Sequence, residues 1–509
     1  MFFALIAATT GIVACGGSNS SPIQTPTTEN TQPSTPPPPV DPIINAIRFT
    51  SANNPQLRSD VELTLNGSTF QGRLNSPIKT KSLIATFDFI GDTVSINNQS
   101  QDSGITENDF TNTLDVVVEN DQGTKKSYQL NLSNFTGLPI INLTTQTDIT
   151  SKEEYVLGTF ELDGWREFDS IEPINMKIKG RGNSTWFTHP KKPYQMKLES
   201  SHSLFGIEED KTWLFLAEYS DKTLLRNKLA FIMGSLSNLS WTPKGQFAEV
   251  VINGNHRGIY HITEKVEDGA NRVDIGDTGF LLEIDQPDRL DADDVSFNTN
   301  TYLINIKEPK LEEGDEKYQL ISSHINEFEN VLFSSDFANP VTGYPAYIDI
   351  DSFIDWFLIN EIAKNTDAQW YSSIYLHYVP GNKITMGPLW DFDLGFGNVD
   401  YADSRYPEGW WVRWNTWISR LLEDPAFVSR VKERMAFFSS KQSYLLSEID
   451  FWADKLNLSQ SENDAIWQTM GVYVWPNPKV YETYEEEVSA LKSWFQLRMA
   501  WLGRAVSEL

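Results

Sequence analysis

With 509 residues, 40% of them hydrophobic and 12% aromatic, the chain is long enough for more than one domain and a sizeable core. Its formal net charge of -28 argues against nucleic acid as a partner, because a polyanion is repelled unless a local basic patch overrides the field. The only cysteine, Cys15, excludes an intrachain disulfide framework and a zinc site built mainly from cysteine.

Residues 1–15, MFFALIAATTGIVAC, form an apolar run too short for a comfortable membrane span and similar to the h-region of a signal peptide. Ile12, Val13, Ala14 and Cys15 resemble a bacterial lipoprotein lipobox, which implies lipidation of Cys15 and a membrane anchor. No Lys or Arg precedes the run, which leaves room for a start further upstream. Residues 16–41, GGSNSSPIQTPTTENTQPSTPPPPVD, have too little apolar surface to bury and are expected to form a disordered, partly extended tether.

Residues 42–136 read as a small all-β, immunoglobulin-like sandwich. Apolar residues alternate at Val61, Leu63 and Leu65, at Val116 and Val118, and at Tyr128, Leu130 and Leu132, with turn clusters between the runs. Its GIT, NDF and SYQLNL segments look similar to β-sandwich repeats of bacterial surface proteins, and a spacer or binding module fits better than an enzyme. All 16 tryptophans lie from Trp165 onward, which puts a domain boundary near residues 136–139.

The segment 176–199, MKIKGRGNSTWFTHPKKPYQMKLE, concentrates Lys177, Lys179, Arg181, Lys191, Lys192 and Lys197 in an otherwise acidic chain. With Gly180 and Gly182 allowing close backbone approach, it suits phosphate oxygens. A strand pair with solvated lysines on its outer face fits equally well. A helix is expected over 223–236, with Arg226 and Asn227 off its apolar face. A hairpin over 247–263 runs into TEKVED, where Glu264 is either a solvated strand end or the partner of a phosphate-binding lysine. FLLEID, 280–285, reads as a buried strand, and a helical stripe from Tyr318 to Leu332 is assigned only packing.

After Asp351 a helix that is apolar almost all round runs out at Asn365, and the following loop carries Asp367. A hairpin over 373–386 then delivers the chain into GPLWDFDLGFGN, 387–398, where Asp391 and Asp393 precede Gly395 and Gly397. Two carboxylates at that spacing can share a divalent cation, or they can simply brace a turn. Two acidic loops at the ends of one hairpin can face the same cleft. Phosphoryl transfer needs such a division, one carboxylate for the acceptor hydroxyl and another for magnesium. Asn365 and Ser372 are nearby polar groups suited to orienting the base or meeting a second metal.

Taken together, KGRGNSTW, KKPYQMKL, LLRNKLA, GIYHITEKVE, NEIAKNTDAQW and GPLWDFDLGFGN resemble the spore coat protein H (CotH) family of atypical secreted protein kinases, over roughly residues 138–420. The resemblance implies ATP- and Mg2+-dependent phosphorylation of Ser or Thr on proteins, with Asp367 as catalytic base, Asp391 as metal ligand and Asp393 as its helper. Electrostatics and chain order assign Arg181 and Lys197 to phosphates and Glu264 as the partner of Lys197. The expected fold is α+β: a two-lobed atypical protein-kinase-like domain over 137–425, preceded by the all-β module and followed by a helical C-terminal extension over 426–509. The tether and lipobox place it at the bacterial cell envelope, facing surface or secreted protein substrates. Two other readings stand beside it, a catalytically silent adhesin or scaffold, and a carbohydrate-active protein suggested by Trp410, Trp411, Trp414 and Trp417. At helical spacing those rings suit a core covering the lower lobe better than a sugar site.

Overall fold

The computed structural model describes residues 40–509 except 58, 76, 79 and 313. The expected signal segment, the Cys15 anchor and nearly all of the tether lie outside the described residues. The protein is a mixed α+β structure whose first part is all-β. There, strand Ile43–Phe49 pairs antiparallel with Thr86–Ile90 and Val61–Glu62, and a second, six-stranded sheet faces it. Lys125–Ser133 runs antiparallel to Leu114–Glu119 on one side and parallel to Thr69–Arg73 on the other. Of the period-two residues of the sequence, Val61, Leu63, Val116, Val118, Tyr128, Leu130 and Leu132 point inward and share one core with Ile47, Phe49 and Phe70, whereas Leu65 is exposed. Arg166 ties this part to the next by donating to the Asn131 side chain at 2.5 Å.

Seven strands from Ile140–Thr145 to Asn255–Glu264 close into a barrel, sealed by a parallel pairing of Ile140–Thr145 with Gly245–Ile252. Alternation decides what fills it. Ile178, Met196, Leu198 and Trp213 point inward, while Lys177, Lys179 and Lys197 stand on the outer face. The cationic segment is therefore split by its pleat. Lys191 leaves it altogether: it is buried, with its ammonium on the carbonyl of Ile259, on Asn463 Oδ1 at 2.9 Å and over the Tyr260 ring.

A five-stranded antiparallel sheet follows, ordered Val295–Asn298, Leu303–Glu308, Phe280–Asp285, Ile374–Tyr378 and Thr385–Met386. The FLLEID strand is central and buried at every residue, which accounts for its near-continuous apolar run. The helix Ile350–Ala363 starts at an Asp349 cap that accepts from Ser352 N, and its interior residues are buried all round. It ends at Lys364, φ 43°, whose ammonium donates to the carbonyls of Asp403, Tyr406 and Glu408.

Two expectations are corrected here. The helix expected over 223–236 begins only at Arg226, because Asp221 accepts from Arg226 N at 2.8 Å and Leu224 takes φ 63°. Residues 426–509 are no extension. Their helices Pro425–Ser440, Gln442–Trp467 and Tyr484–Ser507 share one core with Leu229, Phe353 and Phe357. Arg498, fully buried in the last of them, pairs with Glu361 at 2.5 Å and donates to its carbonyl at 2.7 Å. Amphipathic helices were legible, but whose core they complete was not. Of the tryptophan row, Trp417 is buried with its indole N–H on Glu329, and Trp414 is exposed.

Candidate functional site

A cleft of about 850 Å³ opens between the barrel and the five-stranded sheet. Three segments carry the sequence-predicted groups into it: the turn after strand Ile171–Gly180, with Arg181; the turn after the buried helix, with Asp367; and the loop after the hairpin, with Asp391 and Asp393. Hairpin and helix thus deliver both acidic loops to one face, as their order along the chain allows.

Three other predicted residues do not reach it. Lys197 sits on the exposed outer face of its strand, opposite Lys177; Gln195 and Lys179, a register pair nearer the strand end, line the cleft instead. Glu264 is buried and takes Arg272 Nη1 at 2.6 Å and Lys244 N at 2.7 Å, so its partner is Arg272 and not Lys197. Asn365 turns its amide back onto the helix end, donating to Asn360 Oδ1 at 3.1 Å, and lies outside the cleft lining. A lysine–glutamate pair does line the cleft, but on the five-stranded sheet: Lys307 and Glu283, 3.5 Å apart. Burial pushes the Glu283 carboxyl up to about 7, against the pull of Lys307. Acids within the otherwise apolar FLLEID run, Glu283 and Asp285, were the signal for it, and both line the cleft.

Desolvation and the neighbouring charge of Asp391 hold the Asp367 carboxyl at about 7, with Arg289 opposing. Asp391 is raised by desolvation in the cleft, offset by Arg181 and by Ser373 Oγ, which donates to Asp391 Oδ2 at 3.3 Å. Its side chain remains open to water, which screens much of that effect. Asp393 is pushed well up by desolvation and then by Asp391, Asp367 and Asp221. Arg181 lies over the Trp390 ring at 5.4 Å.

Hard oxygen donors that crowd and repel one another suit a divalent cation such as Mg2+. Among the described residues no three His, Cys, Asp or Glu side chains form a closed ligand set. Asp391 and Asp393, two oxygen donors from one loop that line the cleft, are the residues that could contribute to such a site.

The acidic loop is fixed from three directions. Asn227 accepts from Phe392 N at 2.8 Å and donates to both oxygens of buried Glu218, at 3.1 and 3.2 Å. Arg226 Nε donates to the carbonyl of Gly395 at 3.2 Å. Asn398 donates to the carbonyl of Asp393 at 2.8 Å, and Asn477 joins Asn398 Oδ1 at 3.0 Å to the Ser220 carbonyl at 2.7 Å. Gly397 has φ 79°, and a Cβ there would meet Trp494 Nε1 at 2.4 Å. Sequence reasoning set Arg226 and Asn227 aside because polar residues off an apolar stripe ordinarily face solvent.

A family model described as "CotH kinase protein" matches residues 178–502. The "Inner spore coat protein H" of Bacillus subtilis is 26% identical over 224 residues, which are 42% of this chain and 57% of that protein. The chain thus spans little more than half the length of this relative. A solved structure from Bacteroides thetaiotaomicron, described as a proposed glycoside hydrolase, is 12% identical and covers 56% of this chain and 88% of that one. Its TM-score of 0.15 is too low to bear on fold or activity.

Proposed function

This chain belongs to the CotH kinase protein family, and we propose that it is an atypical, two-lobed protein kinase that transfers the terminal phosphoryl group of ATP to Ser or Thr of envelope or secreted proteins. The barrel is the upper lobe, and the five-stranded sheet with its helices is the lower one. One observation carries the reading: Asp367, Asp391, Asp393 and Arg181, from three separate segments, line a single cleft. Asp391 and Asp393 hold Mg2+, which when bound neutralises charge on the phosphates. Arg181, Lys179 and Lys307, the last paired with Glu283, face the phosphate oxygens. Asp367 receives the proton of the acceptor hydroxyl, a task suited to a carboxyl held at about 7. The lipobox-like 12–15 segment supports an anchor on Cys15 and a place at the bacterial envelope.

The test is labelling by purified protein with Mg2+ and γ-labelled ATP. Incorporation that falls by about a hundredfold or more in Asp367→Ala and in Asp391→Ala is expected. Equal labelling by either variant overturns the assignment, and absence of any Mg2+–ATP effect on thermal stability points to a silent scaffold.

A further inference from the structure

Three of the most exposed aromatic side chains in the described structure lie around the mouth of this cleft. Trp370, Tyr401 and Trp475 are 52%, 55% and 48% exposed, and all three line it with Asp367. Trp370 follows the turn Asp367–Gln369 directly and meets Tyr371 edge-on at 5.8 Å. Across from the turn, Tyr401 and Trp475 are stacked at 6.0 Å and 14° between ring planes, with Pro476 alongside. These rings are held in place: Asn477, two residues beyond Trp475, is tied to Ser220 and Asn398. Rigid, flat aromatic faces left in water beside a reactive carboxylate are a docking surface for something with a flat apolar face of its own. Proline rings flanking a hydroxyl residue meet that need, since Pro-rich segments bind aromatic-lined grooves at low entropic cost.

The chain supplies such a segment. Upstream of Val40 it contains Ser21–Pro22, Thr25–Pro26 and Thr35–Pro36, and Glu29 is the one charged residue between positions 16 and 39. With Glu29 its one charge, the segment is repelled only weakly by a chain of net charge -28. Val40 is held at its carbonyl by Asn120 Nδ2, 3.3 Å away. From there the chain to Thr25 spans at most about 50 Å, against a radius of gyration of about 23 Å for a folded body of this size.

We propose that the aromatic lip of Trp370, Tyr401 and Trp475 is the acceptor subsite for proline-flanked Ser/Thr, and that residues 18–36 of this chain, from the same or a neighbouring copy, occupy it. This rests on the kinase reading. In the transfer the acceptor oxygen gives its proton to Asp367 and bonds to the terminal phosphorus of a nucleoside triphosphate. The bond to the bridging oxygen breaks, and its electron pair leaves on the diphosphate.

The test separates docking from transfer. A synthetic peptide of residues 18–36 is titrated without nucleotide, read by calorimetry, into the full chain carrying Pro22→Ala, Pro26→Ala, Pro33→Ala and Pro36→Ala, so that its own segment does not compete. Binding is expected, with Kd raised by about tenfold in each of Trp370→Ala and Trp475→Ala, both at exposed positions. With Mg2+ and ATP, mass spectrometry is expected to find phosphate on Ser21, Thr25 or Thr35, also when full-length Asp367→Ala chain is the acceptor for wild type. Equal peptide binding by that chain with and without either tryptophan substitution, binding of oligosaccharide in place of the peptide, or phosphate confined to other residues overturns the proposal. A Mg2+–ATP thermal shift measured without peptide reports the kinase reading separately. If that shift is missing while the peptide binds, the kinase reading and the transfer step fall and the docking surface stands.

Discussion

The side chain of Asn227 accepts the backbone N–H of Phe392 at 2.8 Å, so the residue between Asp391 and Asp393 is fixed by the helix Arg226–Ser235. The orientation of that amide is set from behind by Glu218, which takes both of its remaining contacts.

Asn227→Ala leaves the Phe392 N–H buried without an acceptor, a loss of about 1–3 kcal/mol. The expected outcome is a melting temperature lower by a few degrees and a rise of about tenfold in the Mg2+ concentration giving half-maximal ATP binding. Titrating Mg2+ at fixed ATP checks it, and an unchanged half-point would mean that the loop aspartates are placed without Asn227.

Asp367→Asn keeps the size of the side chain and removes its basicity. Mg2+–ATP binding is expected to stay near wild type while phosphate incorporation falls by about two to four orders of magnitude. Asp391→Asn, by contrast, is expected to weaken Mg2+-dependent ATP binding itself. Parallel calorimetry and labelling distinguish the two, and identical behaviour of the two variants would refute the division of roles.

Lys191 makes stability depend on pH. Burial lowers its pKa from 10.5 to about 7, so between those values the unfolded chain holds a proton that the folded one has released. Stability therefore rises with pH across that window, by up to about 1 kcal/mol per unit, and the full cost of the buried charge is present below it. Lys228, lowered to about 8 by burial, acts in the same direction. Denaturant melts at pH 7, 8 and 9 are expected to show a rise for wild type that is smaller in Lys191→Met; parallel curves would contradict it.

Gly397→Ala places a methyl 2.4 Å from Trp494 Nε1 on a backbone at φ 79°. A loss of about 1–3 kcal/mol is expected in the denaturation midpoint, together with weaker Mg2+ binding because the same turn carries Asp393. Gly381→Ala, also at positive φ but with open space around it, controls for backbone strain alone.

The hairpin over 374–386 and the acidic residues at its two ends were readable because a period of two, a buried helical run and two glycines are all local signals. Lys197 and Gln195 share a face of one strand, and only the register with Lys177 and Lys179 decides which of them reaches the cleft. Glu264 was misassigned because its partner, Arg272, arrives through a turn that has no periodic signature. Asn227 and Asn477 were invisible for a related reason: each amide matters for what it meets across the fold, Phe392 in one case and Ser220 with Asn398 in the other. The C-terminal helices announced their amphipathic faces, but not that Arg498 would seat on Glu361.

The link between Asn477 and Asn398 has a consequence for how the protein comes into being. A chain emerging from the ribosome presents the barrel and both acidic loops first, while Trp475, Asn477 and Arg498 are still to be made. The cleft wall is finished only when these late residues fold back onto Ser220, Asn398 and Glu361. A nascent chain thus carries these carboxylates without the wall that completes their cleft until residues 475–498 have been made and folded back.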